Sequence, residues 1–370
     1  MRFVSYYSRA VSDASGVTVA LWAWANALAA AGEEVLVAHA GGPRRSPDPI
    51  LNVRGVLDVR VRHLGRRRPT YAPIGLPQVL RRGDVLLLHE GWVLSNYVAA
   101  AIAFVSRVPY VVVPHGVYEP GIMAPLRGPR ALRSRIERLL LEHALAVHVF
   151  WESERDRVTA VAPRARVIVA PIGAAPPAGG WVGGGGYLAW LGRFDPVHKG
   201  LDLLLEGLAR LEPDVRPQLR LHGPDYNAGL AATRAHVQRL GLEPWVTIGD
   251  PVYGEEKRQF LIRADGYVHP SRWESYGIAL IESLALGVPS VVSDAIHMAP
   301  ALRAAGAAIL VPPSPEGLAA GLQALPAARD MLSDRGRAFV RDELAWPALT
   351  ARFLAVLGDR LGQPSTGGTG

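Results

Sequence analysis

Short apolar runs alternate with longer stretches of helical spacing along most of the chain. In the first half the runs are residues 1–7, 34–38, 84–89, 109–114 and 147–150; in the second they are 187–191, 218–222, 245–248, 266–269, 290–293 and 308–311. Runs this short and this apolar suit strands buried on both faces. Between them lie stretches such as 17–31, where apolar residues recur at helical intervals. Regular alternation of strand and helix predicts parallel sheets covered by helices on both sides. The expected class is α/β, with two doubly wound Rossmann-like domains facing across a cleft, where ligands bind at the carboxyl ends of the strands.

The sharpest break in this pattern is residues 173–186, GAAPPAGGWVGGGG, which is too rich in glycine and proline to pack a core. It divides the chain into an expected N-terminal domain, 1–172, and a C-terminal domain, 173–346. The chain is helical in pattern from about Pro315. A last helix, about 347–362, is expected to pack back on the first domain. Residues 363–370 are Gly/Ser/Thr-rich and read as a loose tail.

Composition narrows the function classes. The 370 residues are 49% hydrophobic and 20% charged, a globular balance. There is no cysteine, which excludes disulfides, thiolate nucleophiles and thiolate metal sites. The net charge of +7, carried almost wholly by arginine, admits nucleic acid, an anionic membrane surface or a phosphate-bearing substrate. The longest apolar stretches, about 17–31 and 97–105, fall short of a membrane span, which needs ~20 residues. A cytoplasmic protein is expected, with contact at the inner membrane face left open. Two basic regions bear on that contact: 60–82, with Arg60, Arg62, Arg66, Arg67, Arg68, Arg81 and Arg82, and the amphipathic 127–138 segment. Each is read either as an anionic-lipid surface or as a core-packed element with a solvated face.

Two segments carry candidate chemistry. Residues 270–282, PSRWESYGIALIE, follow the strand ending at His269. A helix is expected to start near Tyr276, with Glu274 just before it and Glu282 inside. The first amides of that helix, at Tyr276, Gly277, Ile278 and Ala279, would form a positive end suited to a diphosphate. The plain alternative is ordinary helix-end chemistry. Residues 192–200, GRFDPVHKG, follow the strand 187–191 and set Arg193 and Lys199 around a turn. Two cations there could clamp a pyrophosphate, or simply be a solvated basic loop.

Taken together, these segments resemble the retaining glycosyltransferases of family 4, which have the GT-B fold and belong to the superfamily of glycogen synthases and mannosyltransferases. The family's glutamate–seven residues–glutamate signature is Glu274 to Glu282, containing the aromatic–glycine pair Tyr276-Gly277. Its glycine-arginine and lysine-glycine turn is Gly192, Arg193, Lys199 and Gly200. Residues 285–292 look like its helix-to-strand turn. In the first half, Ser15-Gly16-Val17 opens a helix where the family has a glycine pair, here reduced to Gly16. Pro114-His115-Gly116 is similar to a histidine-glycine segment of members that build polysaccharides. At Pro171-Ile172-Gly173 the family's asparagine is missing.

The resemblance implies roles. Arg193 and Lys199 hold the donor diphosphate, near Gly16. Glu282 bonds the ribose, Glu274 the hydroxyls of the transferred sugar, and His115 the sugar near its reacting carbon. Backbone at Val252 and Tyr253 meets the base, while Tyr276, Gly277 and Ile278 stay with the diphosphate. The donor is a nucleotide-diphosphate sugar such as a UDP- or GDP-sugar, and no cofactor is implied. The acceptor is a glycan, a lipid-linked or a small molecule, with His89-Glu90-Gly91-Trp92 at another strand end as a candidate acceptor face. Configuration is kept by a front-side route, so Glu274 is not a nucleophile.

Other signals count for less. No Asp-x-Asp and no HExxH occur, and no metal is expected. The acidic stretch 152–156 reads as a helix start capped by Ser153, with Asp156 three residues on. Competing classes are a nucleotide-sugar epimerase of the same architecture and a basic nucleic-acid-binding protein; the latter lacks a recognition motif.

Overall fold

The structure, a computed structural model, describes residues 1–9, 15–41, 55–65, 72–120, 130–175, 177 and 179–362, with the backbone alone at 130 and 131. Arg66, Arg67, Arg68, Arg127 and the 363–370 tail lie outside the described residues. The chain divides into two compact units: residues 1–173 with 346–370, and residues 174–345.

The first unit is built on a seven-stranded sheet: β1 Arg2–Tyr7, β2 Glu34–His39, β3 Val56–Arg60, β4 Asp84–His89, β5 Tyr110–Val113, β6 Ala146–Val149 and β7 Val167–Val169. Its order is β3-β2-β1-β4-β5-β6-β7, and every pairing is parallel. The order reverses between β1 and β4, which makes the carboxyl ends of those two strands the switch point of the sheet. Arg2, only 9% exposed, reaches across the opposite end to Asp84 with two hydrogen bonds, Nε at 2.8 Å and Nη2 at 2.6 Å. The helix Gly16–Ala30 follows β1. Ser15 and Thr18 close a capping box at its start: Ser15 Oγ accepts from Thr18 N, and Ser15 N donates to Thr18 Oγ1.

The C-terminal helix Trp346–Leu361 packs on the first unit. Trp346 meets Trp24 edge-on with centroids 5.3 Å apart, and Phe353 lies 4.9 Å from both Trp24 and His148. Arg360 caps the contact by donating to the carbonyls of Leu145, Arg166 and Val167.

The second unit has six parallel strands: β8 Leu188–Leu191, β9 Leu219–His222, β10 Val246–Gly249, β11 Gly266–His269, β12 Ser290–Ser293 and β13 Ile309–Val311. The order is β10-β9-β8-β11-β12-β13, so this sheet reverses between β8 and β11. The long helix Pro315–Glu343 opens at Ser314, whose hydroxyl accepts from Gly317 N.

Several sequence expectations are corrected. β3 and β7 were not expected. β3 is a half-exposed edge strand without a continuous apolar run, and β7 has three residues. The helix expected to start near Tyr276 begins at Ile278, because Gly277 takes a left-handed conformation, φ 70°. Ser153 stands at the N-cap position of the helix Glu154–Val161, but the side chain closing that turn is Glu154, which accepts from the amides of Phe150 and Trp151. The glycine-rich stretch is also no free tether. Trp181 and residues 182–185 are hydrogen-bonded to Leu286, Ile262, Arg263, Ala264 and Asp265 of the second unit.

The basic helix Arg130–His143 turns Glu137, Leu140 and Leu141 into the core. Glu137 accepts from Trp92 N and from the hydroxyls of Tyr97 and Tyr118. Burial pushes its carboxyl up, against the pull of these donors.

Candidate functional site

In the second unit the topology brings the two candidate segments together. Residues 192–200 leave β8 and residues 270–277 leave β11, the two strands that flank the switch point. The loops interlock through backbone. Gly200 has φ 64°, and a Cβ there would stand 2.0 Å from the Pro270 carbonyl oxygen, so only glycine fits. Arg272 N donates to His198 O at 3.0 Å. Its guanidinium grips Asp202 with two bonds of 2.7 Å. His198 stacks on Trp273, centroids 4.6 Å apart, and its Nε2 bonds the Trp273 carbonyl.

Within this interlock Lys199 Nζ is ion-paired with Glu274 Oε2. Burial alone would push the Glu274 carboxyl up, but Lys199, His269 and His198 override it and hold it down at about 2. His269, the last residue of β11, stands 3.8 Å from Glu274 Oε2 and is 4% exposed. Burial pushes its imidazole down to about 4, so it is neutral near pH 7. Gly277, at φ 70°, turns the chain into the helix Ile278–Leu286. The first amides of that helix, at Ile278, Ala279 and Leu280, have no acceptor inside it. Glu282, one turn on, is ion-paired with Lys257 at 2.7 Å. Tyr276 is buried, and burial together with Glu282 drives its hydroxyl well above the ordinary range.

Arg193 is exposed and lies over the Tyr226 ring, 4.4 Å from its centroid. Val252 is buried, and Tyr253, 38% exposed, is the N-cap of the helix Gly254–Arg263 that carries Lys257. The chain has 38 arginines and two lysines, and both lysines pair with the glutamates of the signature.

In the first unit the named residues also gather at strand ends. Gly16 is the first residue of the helix after β1. His115 follows β5 with a left-handed backbone, φ 54°. Glu90 and Trp92, after β4, are left-handed too, at 71° and 60°. Left-handed non-glycine residues carry strain and gather at functional sites. His89 Nδ1 lies 2.8 Å from His115 Nε2, and Ser5 Oγ lies 2.7 Å from His89 Nε2. Arg9 pairs with Glu90 at 3.1 Å.

His269, His198, Lys257, Tyr226 and Ser5 carry no sequence signal. Only the strand-end position of His269, just before Pro270, could have singled one out. Among the described residues no group of three or more His, Asp or Glu is placed to hold a metal ion.

Residues 15–173 match the family model "Glycosyl transferase 4-like domain", and residues 185–327 match "Glycosyl transferases group 1". A D-inositol 3-phosphate glycosyltransferase of Geodermatophilus obscurus is 33% identical over 159 residues, 40% of this chain but only 35% of that protein. The GDP-mannose:cellobiosyl-diphosphopolyprenol alpha-mannosyltransferase of Xanthomonas oryzae is 28% identical over 321 residues, 82% of each chain. Among solved structures, sucrose-phosphate synthase from Thermosynechococcus elongatus superposes with a TM-score of 0.77 at 21% identity, covering 98% of this chain and 99% of that one. Anabaena HepE in complex with UDP-glucose gives 0.78 at 16% identity, covering 97% and 100%. With both halves matched by family models and the whole chain by these folds, the protein belongs to the family 4 glycosyltransferases of the GT-B fold.

Proposed function

We propose that this chain transfers a glycosyl group from a nucleoside-diphosphate sugar to a hydroxyl of a glycan, lipid-linked or small-molecule acceptor, with retention of configuration. The observation that carries the reading is the Lys199–Glu274 pair at a sheet switch point, directly before the helix start at Gly277. Lys199 and Arg193 meet the diphosphate together with the amides of Ile278 and Ala279. Glu282 bonds the ribose, and the backbone at Val252 and Tyr253 meets the base. Glu274, held ionised, accepts from hydroxyls of the transferred sugar. His115 lies near the reacting carbon. The bond from the anomeric carbon to the phosphate oxygen breaks as the acceptor oxygen bonds on the same face. The acceptor's proton goes to the leaving phosphate. This chemistry asks for neither a metal nor a cofactor.

A thermal-shift panel of UDP-, GDP- and ADP-sugars, UDP-glucose and GDP-mannose included, tests it. A donor at 100 times its Kd stabilises the fold by about 2.7 kcal/mol. One nucleotide class should raise the Tm, and Lys199→Ala should abolish that rise. A panel with no shift at all would sink the proposal.

The acceptor side has a membrane variant. Leu132 and Leu139 are 57% and 56% exposed on the helix that also shows Arg135 and Arg138 to solvent. This stripe suits an anionic lipid surface carrying the acceptor. No described helix is long and apolar enough to cross a membrane. Co-sedimentation with anionic but not zwitterionic vesicles, lost in Arg135→Glu/Arg138→Glu, is expected; equal recovery with both vesicle types excludes it.

A further inference from the structure

Three side chains from three neighbouring strands form a hydrogen-bonded line across the switch point of the first sheet. Ser5 lies on β1, His89 ends β4 and His115 follows β5. Ser5 Oγ is 2.7 Å from His89 Nε2, and His89 Nδ1 is 2.8 Å from His115 Nε2. Ser5 is 2% and His89 3% exposed. Burial holds both rings neutral, with His89 pushed down to about 3 and His115 well below its ordinary value. Each neutral ring carries one proton, so each has one donor and one acceptor.

The direction of the line follows from its closed end. Among the described residues the Ser5 hydroxyl has no acceptor other than His89 Nε2. A buried hydroxyl proton without an acceptor is costly, because it has given up its bond to water and gained none. Ser5 therefore donates, His89 Nε2 accepts, and the His89 proton stands on Nδ1. That proton is given to His115 Nε2, which leaves the His115 proton on Nδ1, an atom without a protein partner among the described residues.

We infer that Ser5 and His89 are positioning residues that fix His115 as its Nδ1–H tautomer and aim that N–H as a donor at the bound ligand. The inference rests on the proposed placement of His115 beside the transferred sugar. His115 in this state gives a hydrogen bond to a sugar or phosphate oxygen, and it cannot accept the acceptor's proton at that nitrogen. Catalytic proton uptake stays with the leaving phosphate.

Long-range 1H–15N correlation spectra of the full chain, labelled with 15N-histidine and assigned with His89→Asn and His115→Ala, read the tautomers directly. The expected result is His115 protonated at Nδ1 and bare at Nε2, with Ser5→Ala shifting part of both histidines to the opposite tautomer. His115 protonated at Nε2 in the unmodified chain, or tautomers unmoved in Ser5→Ala, overturns the inference. Turnover is followed as nucleoside diphosphate released from UDP-glucose or GDP-mannose, whichever the chain uses. His89→Ala should lower kcat by on the order of 10²-fold, with far less effect on the donor KM. His89→Asn, whose amide can stand in for Nδ1–H, should restore most of it; equal losses in the two variants count against positioning. Full turnover in His115→Ala would defeat the functional placement of His115 while leaving the tautomer result standing, so the two failures are distinct.

Discussion

Burial and ion pairing pull the Glu274 carboxyl in opposite directions, and the pairing with Lys199 wins. Among the described residues His89 and His148 of the first unit have no acidic partner, so burial wins there: His89 is pushed down to about 3 and His148 to about 4. The sign is fixed by which state binds the proton. Unfolded histidine titrates near 6.5, the folded side chains much lower, so the unfolded chain takes up protons first as pH falls. The stability from keeping these rings neutral is complete above about pH 6.5 and is lost as pH falls towards about 4. Each ring contributes a slope of about 1.4 kcal/mol per pH unit in that window. In His148→Gln the slope of unfolding free energy against pH, from urea titrations between pH 6 and 4, should fall by about one proton. An unchanged slope would show that His148 is not held neutral. At this scale Lys199, Glu274 and Glu282 were legible because motif spacing names them. His269 and Ser5 were not, because a single strand residue carries no mark of what it will face.

Helices and strands follow local rules where their ends are polar and specific. The Ser15–Thr18 box starts the first helix where the sequence puts it. Ser15→Ala should cost about 1 kcal/mol, read as a lower unfolding midpoint at unchanged m-value; no change would mean that packing alone sets this helix start. Gly277 shows how a local signal misleads by two residues. Its aromatic neighbour, Tyr276, reads as helix, yet the φ of 70° at Gly277 breaks the path and delays the first turn to Ile278. β3 leaves no mark in the sequence because an edge strand need not be buried: none of its five residues is, and its apolar pattern is neither continuous nor cleanly alternating.

Across the whole molecule, the two sheets place their candidate residues by the same device, a reversal of strand order beside the first strand of each. The C-terminal helix lends its apolar face to the first unit, where Phe353 is 1% exposed against Trp24 and His148. Phe353→Ala should cost about 3–5 kcal/mol. Hydrogen exchange should show lost protection in the first unit, with residues 174–345 keeping theirs. Equal loss in both units would mean that they unfold as one body.

Sequence by itself determined the class of fold, most strands and the two signature segments, because apolar run length and motif spacing are local properties of the chain. Tertiary structure alone decided that Lys199 meets Glu274, that Lys257 meets Glu282, and that Ser5, His89 and His115 form one line. Such contacts join residues from 25 to 84 positions apart. Only strand order and the close approach of backbones at glycines such as Gly200 bring them within bonding distance.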